Sequence, residues 1–424
     1  MLIESVPRNV QQEGKSRRDV IVASKLTAGV RPEEELLLLL CMTAQSRRAA
    51  ADRIEDLAGR VDSAIFTHVA RRHRLLPLID HRLEQSAGST LVSEVRGRCS
   101  AELQHMRETA ARFELFTIDY QAQLERAGIP TLTLKGPVLA RMVYGDTSLR
   151  DVTDIDLLVP VEALSEATSL FTAMGYRVRE ATVTAMGLPV LHHRLEHPNP
   201  QSPPVELHWR VHWYETGFSR RMLERSVVTG GVRTASFDDE IASLLLYYVR
   251  DGFLGLRLAA DIAAWWDSHR LTVGHSVLDG LIETCPGLGR ALGAAAVLVD
   301  AACGVPAERL ISDAQPWSAR QSLALRLANP FGVGNRDERD SVITLVDWLL
   351  APPGQNLDFV RRTLIPRRLR IDEMYDLSPG SWVRRLWWRV AHGPKMLLRY
   401  MQALAKVAGG GTAYLGRPGS ASDG

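Results

Sequence analysis

The run Asp154-Ile155-Asp156-Leu157-Leu158-Val159, with Leu134-Lys135-Gly136-Pro137 ahead of it, decides the reading of this chain. In a strand, residues two apart face the same way. Asp154 and Asp156 then share one face, and Ile155, Leu157 and Val159 take the other. Two like charges at the end of an apolar strand repel each other and resist burial. A divalent cation relieves both penalties, and hard oxygen donors suit Mg2+. The bland alternative is a solvated strand end or a turn cap, and an isolated Asp-x-Asp is weak as a motif. The upstream turn adds weight. Gly136 permits close backbone approach, and the helix after it offers free N–H groups to an anion. Lys135 is the candidate counter-charge of that phosphate cradle, although Pro137 withholds one N–H from it.

Downstream, Val205–Trp213 alternates as a strand. Glu206, His208, Arg210 and His212 lie on one face, and Val205, Leu207, Trp209, Val211 and Trp213 on the other. Glu206 is therefore the candidate third carboxylate, held on a rigid element. Glu196 and Glu215 lie near strand ends and are expected to be mobile. His208 is either a neighbour of the metal or a plain sheet-face residue. Three carboxylates around Mg2+ and a triphosphate suffice for two-metal phosphoryl chemistry.

Lys135-Gly136, the helix behind it, Arg150, the Asp154–Val159 run and Glu206-Leu207-His208-Trp209-Arg210 together resemble the nucleotidyltransferase superfamily with a DNA polymerase β-type palm. More narrowly they are similar to its bacterial branch of uncharacterised nucleotidyltransferases. His73–Leu78 and Arg257–Asp261 look like that branch too. The resemblance covers roughly residues 30–400, and only 134–210 is specific. It implies that Asp154 and Asp156 bind Mg2+, with Glu206 as the third acid of a two-metal site. It also implies transfer of a nucleotidyl group from an NTP, with ATP expected, to an unidentified acceptor hydroxyl. Where the superfamily usually has Gly-Ser or Gly-Gly, this chain has Gly136-Pro137, and Glu206 stands where Asp is usual. Arg150 either reaches a phosphate or holds the loop by pairing with Asp146 or Asp151. Asp261 either pairs with Arg257 one turn back or orients the cleft.

Around this centre the hydrophobic period is helical. Asp62–Arg72, Pro77–Gln85 and Leu91–Ala127 read as helices, the last stopped by Gly128-Ile129-Pro130. Thr131–Leu134, Ile155–Val159, Tyr176–Thr182 and Val190–His197 read as strands. Pro137–Tyr144 and Val161–Met174 read as the helices between them, and helices resume after Ser236. The expected organisation is a flexible leader (1–30), an N-terminal helical region (31–128), a core (129–235), a C-terminal helical region (236–407) and a disordered tail (408–424). The fold class is α+β: a small mixed-sheet palm core between helical flanks.

The 424 residues carry 51 Lys+Arg and 49 Asp+Glu, a net charge of only +2, which argues against a wholly basic coat protein for nucleic acid. Four cysteines without a C-x-x-C argue against structural zinc and fit a reducing cytoplasm. No signal peptide is expected from so polar an N-terminus, and apolar runs such as Leu36–Ala44 and Ala291–Val299 fall short of the ~20 residues of a spanning helix.

The charge is uneven. From Phe359 onward there are 12 Lys+Arg against 4 Asp+Glu. Arg384, Arg385 and Arg389 interleave with Trp382, Trp387 and Trp388, so the 359–407 region either docks a Trp face on the protein or meets an anionic membrane or a nucleic acid. Two other functions compete with nucleotidyl transfer. One is a metal-dependent glycosyltransferase, in which Lys135-Gly136 and Glu206 have no task. The other is a non-catalytic nucleotide-binding or membrane-associated accessory protein.

Overall fold

The computed structural model describes residues 30–86, 89–179, 190–312, 317–331, 336–364, 375 and 382–408. The expected leader up to residue 29 and the tail from 409 lie outside them, as do residues 180–182 at the end of one expected strand. The strands are β1 (Leu132–Thr133), β2 (Ile155–Leu158), β3 (Arg177–Arg179), β4 (His192–Glu196), β5 (Val205–His208), β6 (Val227–Thr229) and β7 (Val232–Thr234). They form one mixed sheet in the order β3-β4-β5-β2-β1-β7-β6. β2 runs parallel to β5 and antiparallel to β1. Helices on either side of this sheet make the molecule α+β.

The two faces of the sheet enter different cores. Ile155, Leu157, Val205, Leu207 and Leu195 pack with Phe171, Tyr120 and Tyr176. Buried phenols need partners. Tyr176 donates to the Pro203 carbonyl at 2.9 Å and its oxygen lies 2.5 Å from that of Tyr120. Leu132, Leu134 and Leu158, on the opposite side, join a larger core that runs from Leu36 to Tyr400. The Ser89–Arg126 helix serves both. Leu91, Val95 and Leu103 belong to the larger core, and Ala110, Phe113 and Leu124 to the smaller. Its axis is broken at Cys99 (φ −139°), within the stretch that belongs to the larger core.

The helical regions on either side of the sheet share one core. The Pro32–Cys41 helix contacts the Arg257–His269 and Gly289–Cys303 helices. His73 closes the same junction, its Nδ1 accepting from the Leu256 N–H at 3.3 Å. The stretch Pro286–Cys303 has the length and hydropathy of a spanning helix, contrary to the estimate from apolar runs. It is 61% buried within the protein, which is how a core helix passes the same test.

Two expectations need correction. The strand expected over Val205–Trp213 ends at His208. Beyond it the Val211 and His212 N–H groups turn to Oε1 of Glu215, at 2.7 and 3.4 Å, instead of to a neighbouring strand. Glu215 is therefore fixed: it is buried and also accepts from the Ser219 N–H at 2.5 Å. The β6–β7 hairpin was not among the expected strands. Its signal is Gly230-Gly231, both at positive φ, which suits a two-residue hairpin turn.

Candidate active site

The parallel pairing of β2 and β5 sets Asp156 opposite Glu206 and Leu158 opposite His208. Side chains of paired residues leave the sheet on the same side, so Asp156 and Glu206 stand next to each other. Asp154 precedes β2 by one residue. Its carboxylate is close enough to the other two for their charges to act on it. The structure thus brings the three predicted acids together at the start of two adjacent strands whose reverse faces are anchored in the smaller core.

His208 ties two of them. Its Nε2 lies 2.9 Å from Oδ1 of Asp156 and 3.4 Å from Oε2 of Glu206. Ionised carboxylates only accept, so Nε2 carries the hydrogen. From β4, His192 approaches Glu206 at 3.6 Å, and Arg194 meets it at 3.2 Å. The two imidazole rings sit 4.8 Å apart.

Lys135 arrives from the other side. It precedes the Gly136–Tyr144 helix with φ +31°, and Gly136 follows at φ +68°. A side chain in that region is strained by about 1–3 kcal/mol. The turn aims the ammonium inward, 2.8 Å from Oδ1 of Asp156 and 4.6 Å above the ring of Tyr247. Tyr247 comes from the Phe237–Arg250 helix, which roofs this face of the sheet.

These neighbours separate the acids electrostatically. Burial opposes ionisation of Asp156, but the charge of Lys135 and the His208 hydrogen bond outweigh it and hold the carboxyl well below its usual range. Burial opposes ionisation of Glu206 too, and His208 again prevails, holding it down to about 2. Asp154 goes the other way: burial and the charge of Asp156 raise it. Burial and the adjacent His208 push His192 down to about 4, so its imidazole is neutral.

The donor set fits a divalent cation. Asp154 is a half-buried carboxylate raised by desolvation and by its like-charged neighbour, and its one hydrogen bond among the described residues is a long one, 3.3 Å from Thr153 Oγ1. A bound cation relieves that repulsion. Single atoms of His192, Glu206 and His208 also lie within 4.8 Å of one another, close enough to share an ion. Asp154, Asp156 and Glu206 suit hard Mg2+, whereas the imidazoles suit a softer ion. The N–H that His208 gives to Asp156 makes it a clamp for the carboxylates.

Arg150 stands elsewhere than expected. Neither Asp146 nor Asp151 pairs with it. Its Nε donates to Oδ2 of Asp261 at 2.9 Å, and 5% of its side chain is exposed. Asp261 does not pair with Arg257, since its other oxygen accepts from the Tyr144 hydroxyl at 2.9 Å. Arg150 thus locks the approach to β2 onto the Arg257–His269 helix. Arg74 holds the same loop by bonding Asp151 at 2.7 Å. Arg210 lies beyond the end of β5 and is exposed.

The profile of the uncharacterised nucleotidyltransferase family matches residues 60–302, more than half of the chain. The chain belongs to that family. Nucleotidyl transfer is accordingly its enzyme class. The match spans the Lys135 turn, all three acids and the Arg150–Asp261 lock. No curated protein matches. Among solved structures, the antibiotic-resistance factor ANT(2'')-Ia, whose solution structure is described as showing substrate-regulated conformation dynamics, aligns with 38% of this chain and 84% of its own. The identity is 15% and the TM-score 0.26, too low a likeness to bear on fold or substrate. In this nucleotidyltransferase, sequence reasoning did not find His192, Arg194 and Tyr247. The first two sit on the expected Val190–His197 strand, where period-2 reading places them on one face. Nothing local marks Tyr247, one of three aromatics on a helix that is buried from Asp239 to Val249.

Proposed function

We propose that the protein transfers a nucleotidyl group from a Mg2+-bound NTP, with ATP the expected donor, to a hydroxyl of an acceptor. The observation that carries this reading is the register that pairs Asp156 with Glu206 across two parallel strands, with Asp154 at their mouth. The acceptor oxygen attacks the α-phosphorus, the bond from that phosphorus to the α–β bridging oxygen breaks, and pyrophosphate leaves. Asp154 and Asp156 would hold Mg2+, with Glu206 as the third acid, and the ion supplies charge neutralisation and a more acidic acceptor hydroxyl. Glu206, kept ionised by His208, would help hold the ion beside the acceptor hydroxyl, whose proton, made acidic by the ion, passes to solvent. Lys135 offers its ammonium at the edge of the acids, and rotation about its stem carries that charge to a triphosphate. Gly136 leaves room for phosphate against the backbone. The four cysteines are buried and unpaired, which supports a proposed cytoplasmic setting. The basic region 359–407 belongs to a separate property, contact with an anionic membrane or a nucleic acid.

The test incubates the protein with Mg2+ and each NTP carrying an α-phosphorus label, together with a fractionated lysate as acceptor pool. Label transfer with stoichiometric pyrophosphate is expected. Binding of Mg·NTP with no transfer to any fraction would leave a nucleotide-binding protein without turnover. Selective binding of nucleotide-sugars would turn the reading towards glycosyl transfer.

A further inference from the structure

The Trp382–Ala408 helix has two apolar faces, and only one of them is docked. On the docked side Met396 and Tyr400 are buried against the Ala319–Leu327, Arg336–Leu350 and Asn356–Leu364 helices. His392 pins the same side. Its Nε2 lies 2.8 Å from the Thr363 carbonyl, so that nitrogen donates and Nδ1 accepts from the Tyr375 hydroxyl at 2.7 Å. The docking expected from the Trp/Arg pattern is real, but it uses the face with few tryptophans.

The opposite side is bare. Val383, Leu386, Trp387, Val390, Leu397 and Met401 are each half exposed or more. At 100° per residue they fall within an arc of roughly 100°, facing away from His392 and Met396. Together they form a continuous stripe of the kind that marks an interaction site. The flanks are cationic. Arg384 and Arg389 are exposed on opposite edges of the stripe. No Asp or Glu occurs between Leu377 and Ser422.

We infer that this face lies in the headgroup region of an anionic lipid bilayer, with the helix axis in the membrane plane. An apolar stripe edged by arginines is the arrangement by which interfacial helices bury carbon and keep their charges among lipid phosphates. Charge complementarity selects this occupant. Two copies face to face would bring their arginines together with no acid to receive them. A nucleic acid answers the arginines but leaves Leu386, Val390 and Leu397 without an apolar partner. The six cations among the helix residues rule against spanning.

The full chain is sedimented with vesicles of pure phosphatidylcholine and with vesicles containing a third of phosphatidylglycerol, at low and physiological salt. Binding to the anionic vesicles alone, weakening with salt, is expected. Val390→Glu with Leu397→Glu, both at exposed positions, reduces binding by about 100-fold or more. Arg384→Gln with Arg389→Gln reduces it by about fivefold per cation removed. Circular dichroism and the melting temperature verify that each variant is folded. Should the glutamate pair misfold, Met401→Glu alone repeats the apolar arm. Absence of vesicle binding at low salt overturns the inference, as does binding that the glutamate variants leave intact. Tighter binding to a single-stranded RNA than to anionic vesicles, insensitive to Val390 and Leu397, would assign the arginines to nucleic acid. A dimer in light scattering that these variants dissociate, with no vesicle binding, would assign the face to a second copy.

Discussion

The ammonium of Lys135 and the Nε2–H of His208 converge on the same oxygen, Oδ1 of Asp156, at 2.8 and 2.9 Å. One carboxylate of the pair therefore has its charge answered from within the chain, while Asp154 does not. Sequence patterning treats Asp154 and Asp156 as equivalent. Their surroundings make them different.

Asp154→Asn and Asp156→Asn should both abolish transfer, yet move stability in opposite directions. Removing the Asp156 charge strands a Lys135 ammonium that is 15% exposed. Loss of such charged hydrogen bonds costs about 2–3 kcal/mol. Removing the charge of Asp154 relieves a repulsion, so the metal-free protein should melt at the same temperature or higher. Equal melting of the two variants, followed by calorimetry without metal, would show that Lys135 does not hold Asp156.

Glu206→Gln should lower turnover by about 100-fold or more, in keeping with loss of a charge that activates the acceptor hydroxyl through the ion, and leave Mg·NTP binding through Asp154 and Asp156 largely intact. Glu206→Asp keeps the charge on a shorter arm and should be milder. Turnover and nucleotide affinity are measured separately. A glutamine variant with unchanged turnover removes Glu206 from the chemistry.

Arg150 and Asp261 form a buried pair, and breaking it by removing one partner costs about 3–5 kcal/mol. Arg150→Ala and Asp261→Ala should each destabilise by that order, and the double variant by much less than the sum. In denaturant titrations, additive losses would count against the pair. If Arg150→Ala instead folds normally and raises KM for NTP, the arginine serves the nucleotide.

Glu240 and Asp347 are buried carboxyls outside the site, pushed up by burial to about 8 and about 7. The folded chain holds their protons more tightly than the unfolded chain does. Their contribution is fully present below about pH 4, shrinks as the unfolded carboxyls ionise, and is lost as pH rises through about 7 for Asp347 and about 8 for Glu240. Below about pH 6.5 the buried, neutral His73, His192 and His212 work the other way; above it melting temperature should fall towards about pH 8, and Glu240→Gln with Asp347→Asn should flatten that slope. A slope unchanged by both substitutions would place the titration elsewhere.

Much of the chain was legible as written, because much of it is local. Asp154-Ile155-Asp156-Leu157-Leu158 declares a strand with acids at its mouth through period-2 alternation alone, and Lys135-Gly136-Pro137 declares a turn into a helix. The family resemblance rests on the same residues. Partnership was not legible. Whether Asp261 meets Arg257 four residues away or Arg150 from another element depends on how distant segments pack, and the nearer cation lost. The length of the strand after Val205 was misread because the carboxylate that ends it, Glu215, acts through space on N–H groups that alternation assigns to a ladder. At the C-terminal helix the sequence determined two apolar stripes and a set of arginines. Only the tertiary structure decided which stripe is buried, because burial is settled by the neighbouring helices that meet Met396 and Tyr400 and leave Trp387 and Val390 outside.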